Sequence, residues 1–243
     1  MQIIKLSATD STNAYLKSLA KSEPLEDLTV VVAHEQFKGR GQMGSEWQSE
    51  AGKNLTFSIL KRHKGLAAKD RFQLTICVSI AIISALKELG LGNLAVKWPN
   101  DILSGNSKIC GILIENALSG DKIQSSIIGI GLNVNQSLFN NLKSVSSLKL
   151  LLGKTFDLNE LLLRIVFHLE SELSQLTKIW DKERWVDYEN LLFRKDRPST
   201  FEDNRGQRFM GIIRGVSGKG MLKVSLENGT LSEFDLKEVK LLY

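Results

Sequence analysis

Lys108-Ile109-Cys110-Gly111-Ile112-Leu113-Ile114-Glu115 is followed by Ser119-Gly120-Asp121 and then by Ser125-Ser126-Ile127-Ile128-Gly129-Ile130-Gly131-Leu132-Asn133. The isoleucine-rich runs Ile109 to Glu115 and Ser125 to Asn133 read as strands. The Ser-Gly-Asp between them fits a tight hairpin turn. The expectation is therefore antiparallel pairing rather than a series of crossovers. It sets the fold class: α+β, with a mixed, largely antiparallel sheet packed with helices.

Working outward from the hairpin, Ala95 to Trp98 is extended and is ended by Pro99, which cannot donate a ladder bond and restricts the residue before it. Asn54 to Leu60 and Thr29 to His34 read as further strands. From Phe72 to Leu89 the apolar residues Leu74, Val78, Ile82, Ala85, Leu86 and Leu89 recur at helical spacing, with Gly90 and Gly92 as the stop. Asp10 or Ser11 can cap a helix running to about Ala20. A second long helix is predicted over Leu158 to Trp180.

Downstream of Trp185 and Tyr188 the pattern changes. From Gln207 it consists of short strands with glycine turns: Phe209 to Val216, Met221 to Leu226, Thr230 to Phe234 and a stretch ending at Leu241. A tail of this size can close into a small SH3-like β-barrel packed on the main domain. The polar stretch Arg194 to Arg205, with Pro198, is the boundary region. The expected division is a main domain over 1–190 and a C-terminal barrel domain over 191–243.

The chain has 243 residues, 42% hydrophobic and 24% charged, with a formal charge of +5. This is an ordinary globular balance, and the charge suits an anionic partner such as a nucleotide, a nucleic acid or an acidic protein without choosing among them. No apolar stretch approaches the roughly 20 residues of a membrane span, and Met1-Gln2-Ile3-Ile4-Lys5 does not open a signal segment. A cytoplasmic protein is expected. Cys77 and Cys110 are too few and too far apart for a disulfide scaffold or a thiolate metal knuckle. His34, His63 and His168 show no paired ligand spacing, so a zinc site is not expected.

Two segments carry chemistry. Gly39-Arg40-Gly41-Gln42-Met43-Gly44 places three glycines around a guanidinium. Its backbone can approach a ligand closely or form an anion nest, and Arg40 offers a fork of donors to phosphate or carboxylate. The ordinary alternative is an exposed turn. It is not a P-loop, since the Gly-x-x-x-x-Gly-Lys-Ser/Thr pattern is absent.

In the second segment, Trp98-Pro99-Asn100-Asp101 leads to Lys108. Asp101 could hold a divalent cation or a cationic side chain, although an Asx turn is the common use of such residues. A Lys108 aimed into a cleft could neutralise charge on a phosphoryl group in transfer; otherwise it snorkels to solvent. Glu115 reads as structural. Asn133 supplies the donor and acceptor pair needed to read a purine edge.

Taken in order, Ser11-Thr12-Asn13; Gln36 with Gly39-Arg40-Gly41 and Trp47; Lys97-Trp98-Pro99-Asn100-Asp101 with Lys108 and Gly111-Ile112; and Gly129-Ile130-Gly131-Leu132-Asn133-Val134-Asn135 resemble the biotin-protein ligase family, in its shorter form without an N-terminal DNA-binding domain. The tail from Phe209 to Val216 is similar to that family's small C-terminal domain. The resemblance implies ATP-dependent conversion of biotin to biotinyl-AMP, with Mg²⁺, and transfer to a lysine of a biotin carboxyl carrier protein or domain of an acyl-CoA carboxylase. It implies that Ser11, Thr12, Asn13 and Gln36 hold the ureido head. Gly39, Gly41 and the segment Gly111, Ile112 and Leu113 would close that pocket.

Arg40 would clamp carboxylate and phosphate, and Lys108 would stabilise the pentacovalent centre. Trp47 and Asn133 would hold adenine, Gln42 would face the nucleotide, and Asp101 would belong to the metal and phosphate environment. DNA and membrane partners are not implied; sheet edges could pair two copies into a homodimer.

The sequence departs from the family pattern at Gln42, where a second arginine is frequent, and at Met43 and Ser45, where basic residues are common. Fewer cations there predict faster leakage of the adenylate. Ser49-Glu50-Ala51-Gly52 stands for the usual Ser-Pro-x-Gly. A glycine loop that must open and close predicts mobility near Gly39 to Ser45 without ligand. The rival readings are a lipoate- or octanoate-protein ligase of similar architecture, and a non-catalytic binding protein using the small barrel.

Overall fold

The computed structural model describes residues 2–139, 144–177 and 182–243. Its larger sheet has seven strands: β1 (Ile3–Thr9), β2 (Val30–Gln36), β3 (Leu55–Arg62), β4 (Leu94–Lys97), β5 (Asp101–Ser104), β6 (Ser107–Ser119) and β7 (Lys122–Leu132). They lie in the order β1-β2-β3-β7-β6-β5-β4. The predicted hairpin is present, with Ser119 opposite Lys122 and Gly120 at φ +59° in the turn. Every pair is antiparallel except β1 with β2, which are joined through the helix α1 (Thr12–Ser22).

The period of two along the strands sorts the core onto two faces. Val31, Leu60 and Ile127 point to one face, where they meet Leu16 of α1. Their neighbours Val30, Ile59 and Ile128 point to the other, which is covered by α2 (Phe72–Glu88) and α4 (Leu158–Ser174). Ile76, Ile82 and Leu86 of α2 are fully buried. A helix apolar almost all round is what a position between the sheet and α4 requires. Gly90, at φ +84°, donates its amide to the Lys87 carbonyl and ends the helix as expected.

Helix α4 is shorter than predicted. At Ser174 it tightens into a 3-10 turn over Gln175–Thr177. The Gln175 amide is shared by the Glu172 and Leu173 carbonyls. The last residues of the expected helix, 178–180, lie outside the described residues. Two short helices, α3 (Leu148–Leu152) and α5 (Lys182–Asn190), were not anticipated.

The tail forms a five-stranded antiparallel sheet of β8 (Pro198–Asp203), β9 (Arg208–Val216), β10 (Leu222–Leu226), β11 (Leu231–Phe234) and β12 (Val239–Leu242), ordered β11-β10-β9-β8-β12. The segment read as a polar boundary thus contains a strand, since β8 starts at Pro198 and buries Ser199 and Phe201. The core runs on without a break into this sheet through Tyr188, Phe201, Ile213 and Leu222. Trp98, after β4, donates its indole N–H to the Gly220 carbonyl at 2.9 Å. The Trp98–Pro99 bond is cis.

Cys77 and Cys110 are free and buried, as expected. Burial pushes the Cys77 thiol up to about 12 and raises Cys110 as well, which leaves both unreactive. Among the described residues no group of His, Cys, Asp or Glu side chains is arranged to hold a metal ion, and no helix is long and apolar enough to cross a membrane.

Candidate active site

The β1-α1-β2 crossover brings the start of α1 beside the end of β2, where Thr9 is in register with Gln36. Ser11 caps the helix, its hydroxyl accepting from the Ala14 amide at 3.5 Å. The Gln36 side-chain oxygen accepts from the Thr12 amide at 2.8 Å and lies 3.1 Å from the Thr12 hydroxyl. Ser58 of β3 reaches the Thr12 hydroxyl at 2.8 Å and the Asn13 side-chain oxygen at 2.6 Å.

Proton counting orients this group. The Asn13 oxygen can only accept, so it takes the single Ser58 proton, and Thr12 must give its own to Ser58 or to Gln36. The Asn13 amide nitrogen donates to the Leu113 carbonyl at 3.3 Å and to Glu115 at 2.9 Å. Asn13 is therefore committed within the protein. Among the described residues the Gln36 amide nitrogen and the Ser11 proton have no protein acceptor and remain available.

The floor is the sheet face that carries α1, and glycines keep it open. A β-carbon at Gly129 would lie 2.3 Å from the Asn13 oxygen, and one at Gly131 would lie 2.3 Å from Cε2 of Trp47. Gly111, in register with Gly131, lies under the same indole. Trp47 thus rests flat on a pair of glycines where any side chain would lift it. Its Nε1 is buried and has no partner among the described residues.

The Gly39 to Trp47 loop is a hairpin. Trp47 donates its amide to the Gly39 carbonyl and Gly41 donates to the Ser45 carbonyl at 2.7 Å, while Met43 and Gly44 take positive φ. A β-carbon at Gly39 would meet the Trp47 carbonyl at 2.3 Å, so the glycine permits the closure. Arg40, about half exposed, lies 3.6 Å from Glu115.

Lys108 comes from the start of β6, where a register shift lies in the facing strand between Ile102 and Leu103. Its ammonium is 2.7 Å from Asp101 and 5.7 Å from the centre of the Trp47 ring. Lys97 sits over the Tyr243 ring at 4.6 Å. Burial holds Lys97 below the usual lysine value; Asp101 opposes this, and Lys108 and Lys240 add to it.

These groups line one cavity of about 500 Å³, which holds Ser11, Thr12, Asn13, Gln36, Arg40, Gly41, Gln42, Trp47, Asp101, Lys108, Gly111, Ile112 and Leu113. Its charged lining is Arg40, Lys97, Lys108 and Lys240 against Glu46 and Asp101, so it favours an anion. A second cavity of about 390 Å³ shares Glu46, Trp47 and Lys108 with the first and adds Asn133 and Phe139.

Most of the residues expected at the site therefore do converge. Gly39 lines a neighbouring cavity beside Arg40 and Glu115 instead of the main one. Asn133 is nearly fully buried and spends one side-chain proton on the Ser146 carbonyl at 3.1 Å, which leaves part of its amide for the second cavity. The expectation did not assign Lys97, Ser58 or Lys240. Lys97 belongs to the quoted Lys-Trp-Pro-Asn-Asp motif and could have been weighed. Nothing local marks Ser58 or Lys240, which arrive by strand pairing and by the docking of the second sheet.

Residues 6–133 match the Biotin/lipoate A/B protein ligase family. The biotin–[acetyl-CoA-carboxylase] ligase of Paracoccus denitrificans is 41% identical over 132 residues, which are 53% of this chain and 53% of that one, so the match spans about half of that relative's length. The bifunctional ligase/repressor BirA of Salmonella typhimurium is 31% identical over 229 residues, 89% of this chain and 67% of that protein. Among solved structures, the biotin protein ligase of Aquifex aeolicus in complex with biotin and ATP superposes with a TM-score of 0.80 at 28% identity, covering 99% of this chain and 98% of that one. The matched residues contain the α1 pocket, the glycine hairpin and the Asp101–Lys108 pair, and the fold agrees from end to end: the chain belongs to the Biotin/lipoate A/B protein ligase family.

Proposed function

We propose that this chain activates biotin with ATP and transfers it to a lysine of a biotin carboxyl carrier protein or domain. The observation that carries the reading is the meeting of two cavities at Trp47 and Lys108, one walled by the α1 pocket and the other by Asn133. A compact polar head with an acyl tail fits the first, and a purine fits the second. Their junction, at Lys108, the one lysine common to both among the described residues, is where a carboxylate and an α-phosphate would meet.

In this reading the Ser11 proton and the Gln36 amide supply donors to a ureido carbonyl, and the lone pairs of Thr12 accept from its N–H groups. Gly111, Ile112 and Leu113 close the pocket from the sheet. Arg40 and Lys108 face the carboxylate and phosphate, where fixed cations stabilise the charge that builds up on the phosphoryl oxygens. The carboxylate oxygen attacks the α-phosphorus, the bond to pyrophosphate breaks, and biotinyl-AMP forms. A carrier lysine amine then attacks the acyl carbon, the acyl–phosphate bond breaks, and AMP leaves. Between the steps the Gly39 to Trp47 hairpin, with Gln42, covers the mixed anhydride against water.

Magnesium keeps most of its shell and needs one or two carboxylates plus phosphate oxygens. Asp101, paired with Lys108 at 2.7 Å, and Glu46 are the carboxylates that line the cavity, and Asp101 would hold an Mg²⁺ ion that arrives with the triphosphate. We assign residues 1–190 to the catalytic unit and 191–243 to a small C-terminal unit. The seven-stranded sheet and the separate sheet beginning at Pro198 support this division.

The test is incorporation of labelled biotin into a carrier domain with ATP and Mg²⁺. The expected result is label on one carrier lysine, dependent on ATP. No incorporation by folded protein would overturn the proposal.

A further inference from the structure

Glu115 stands toward the middle of β6, between the α1 pocket and the glycine hairpin. One of its oxygens takes the Asn13 amide at 2.9 Å and faces the Arg40 guanidinium at 3.6 Å, while the other takes the Lys17 ammonium at 3.3 Å. The opposite end of Asn13 is fixed by the 2.6 Å bond from Ser58. A continuous path thus runs from the pocket wall through Ser58, Asn13 and Glu115 to the loop cation.

An ion pair this open contributes little to folding, so its geometry calls for another use. Arg40 is carried by glycines on both sides and is about half exposed, which leaves its long side chain free unless something holds it. Arg40 lines the main cavity and also the neighbouring one that contains Glu115.

We propose that Glu115 is a positioning residue for the adenylation step: it holds one edge of the Arg40 guanidinium so that the remaining N–H groups face the cavity, and it ties that orientation to the α1 pocket through Asn13. The role rests on the reading of Arg40 as the clamp on carboxylate and phosphate. A guanidinium already oriented loses less side-chain freedom when the ligand arrives and needs no reorganisation as charge develops. Burial alone would raise the Glu115 carboxyl, but the Asn13 and Lys17 bonds and the nearby Arg40 hold it below the usual range.

A double-mutant cycle with the full chain tests this. Glu115→Gln keeps an acceptor for Asn13 and the shape of the side chain but removes the charge. The expected result is a drop of about tenfold in kcat/KM for ATP in biotin-dependent pyrophosphate exchange, at an unchanged Tm. In an Arg40→Ala background the same change should cost less than about twofold, because residues that act through one another are not additive. Tryptic cleavage after Arg40 in the ligand-free protein should speed up in Glu115→Gln.

Equal losses in both backgrounds would overturn the role, as would a Glu115→Gln protein with wild-type kcat/KM. A wild-type protein that makes no adenylate would remove the underlying reading instead.

Discussion

Gly131 offers a sharp test because a single methyl group there acts on the Trp47 seat. In Gly131→Ala the new β-carbon would lie 2.3 Å from Cε2 and 2.6 Å from Cζ2 of the indole. Restoring an ordinary carbon–carbon separation of about 3.6 Å requires the ring to rise from the sheet by roughly 1.3 Å. Among the described residues the indole N–H has no partner and the ring belongs to the glycine hairpin, so it can lift without breaking a hydrogen bond to any of them. Stability should therefore fall by less than the ~1–3 kcal/mol of an overpacked core.

Activity should suffer far more. A misplacement of about 1 Å at a reacting site costs on the order of 10²-fold, and Trp47 borders both cavities. The prediction is a loss of roughly that size in kcat/KM for ATP, with a smaller change in KM for biotin. Gly111→Ala is the graded control. Its β-carbon would sit 3.2 Å from Cζ3, a contact relieved by a few tenths of an ångström, so the loss should be several-fold at most. The assay is biotin-dependent pyrophosphate exchange beside calorimetric Tm. Wild-type ATP kinetics in Gly131→Ala, or an equal effect from Gly111→Ala, would refute the reasoning.

Lys108→Met should retain the fold, since the lysine is partly exposed, and should lose about 10²–10³ in pyrophosphate exchange; near-normal exchange would remove Lys108 from its role. Trp98→Phe deletes the 2.9 Å bond to the Gly220 carbonyl and should cost about 1 kcal/mol, seen as a fall in Tm of ~2–4 °C; an unchanged Tm would show that the bond does not hold the two sheets together. Burial, and next the Lys61 ammonium, push His63 down to about 4 against the pull of Asp27. The unfolded chain takes that proton near 6.5, so this contribution to stability is complete above about pH 6.5 and is lost as pH falls toward 4. His63→Gln should flatten that part of the urea midpoint against pH, and an unaltered slope would assign the acid limb to other groups.

What the sequence made legible was whatever repeats at a fixed period. The isoleucines of β6 and β7, the turn at Gly120 and the apolar residues of α2 are local patterns, and each element was found near its bounds. Strand β1 escaped because an edge strand is half exposed, and Lys5 and Ser7 break its apolar run. β5 has four residues and follows directly from the turn at Pro99, while β8 begins at a proline in polar surroundings, so neither offers a run long enough to read. In α5 only Tyr188 is buried, too little for a helical stripe.

The same division holds at the site. Arg40 and Lys108 stand out by chemistry and spacing, but the seat of Trp47 depends on Gly111 falling opposite Gly131, and that register exists only after pairing. Glu115 read as structural because its partners, Asn13 and Arg40, are distant in sequence.

The most direct measurement is ATP–pyrophosphate exchange by the purified chain with Mg²⁺ and, in parallel, biotin, lipoate, octanoate or no acid. The account predicts exchange that requires biotin and that lipoate and octanoate do not support. Exchange with lipoate or octanoate equal to that with biotin, or no exchange from folded protein with biotin present, would contradict it.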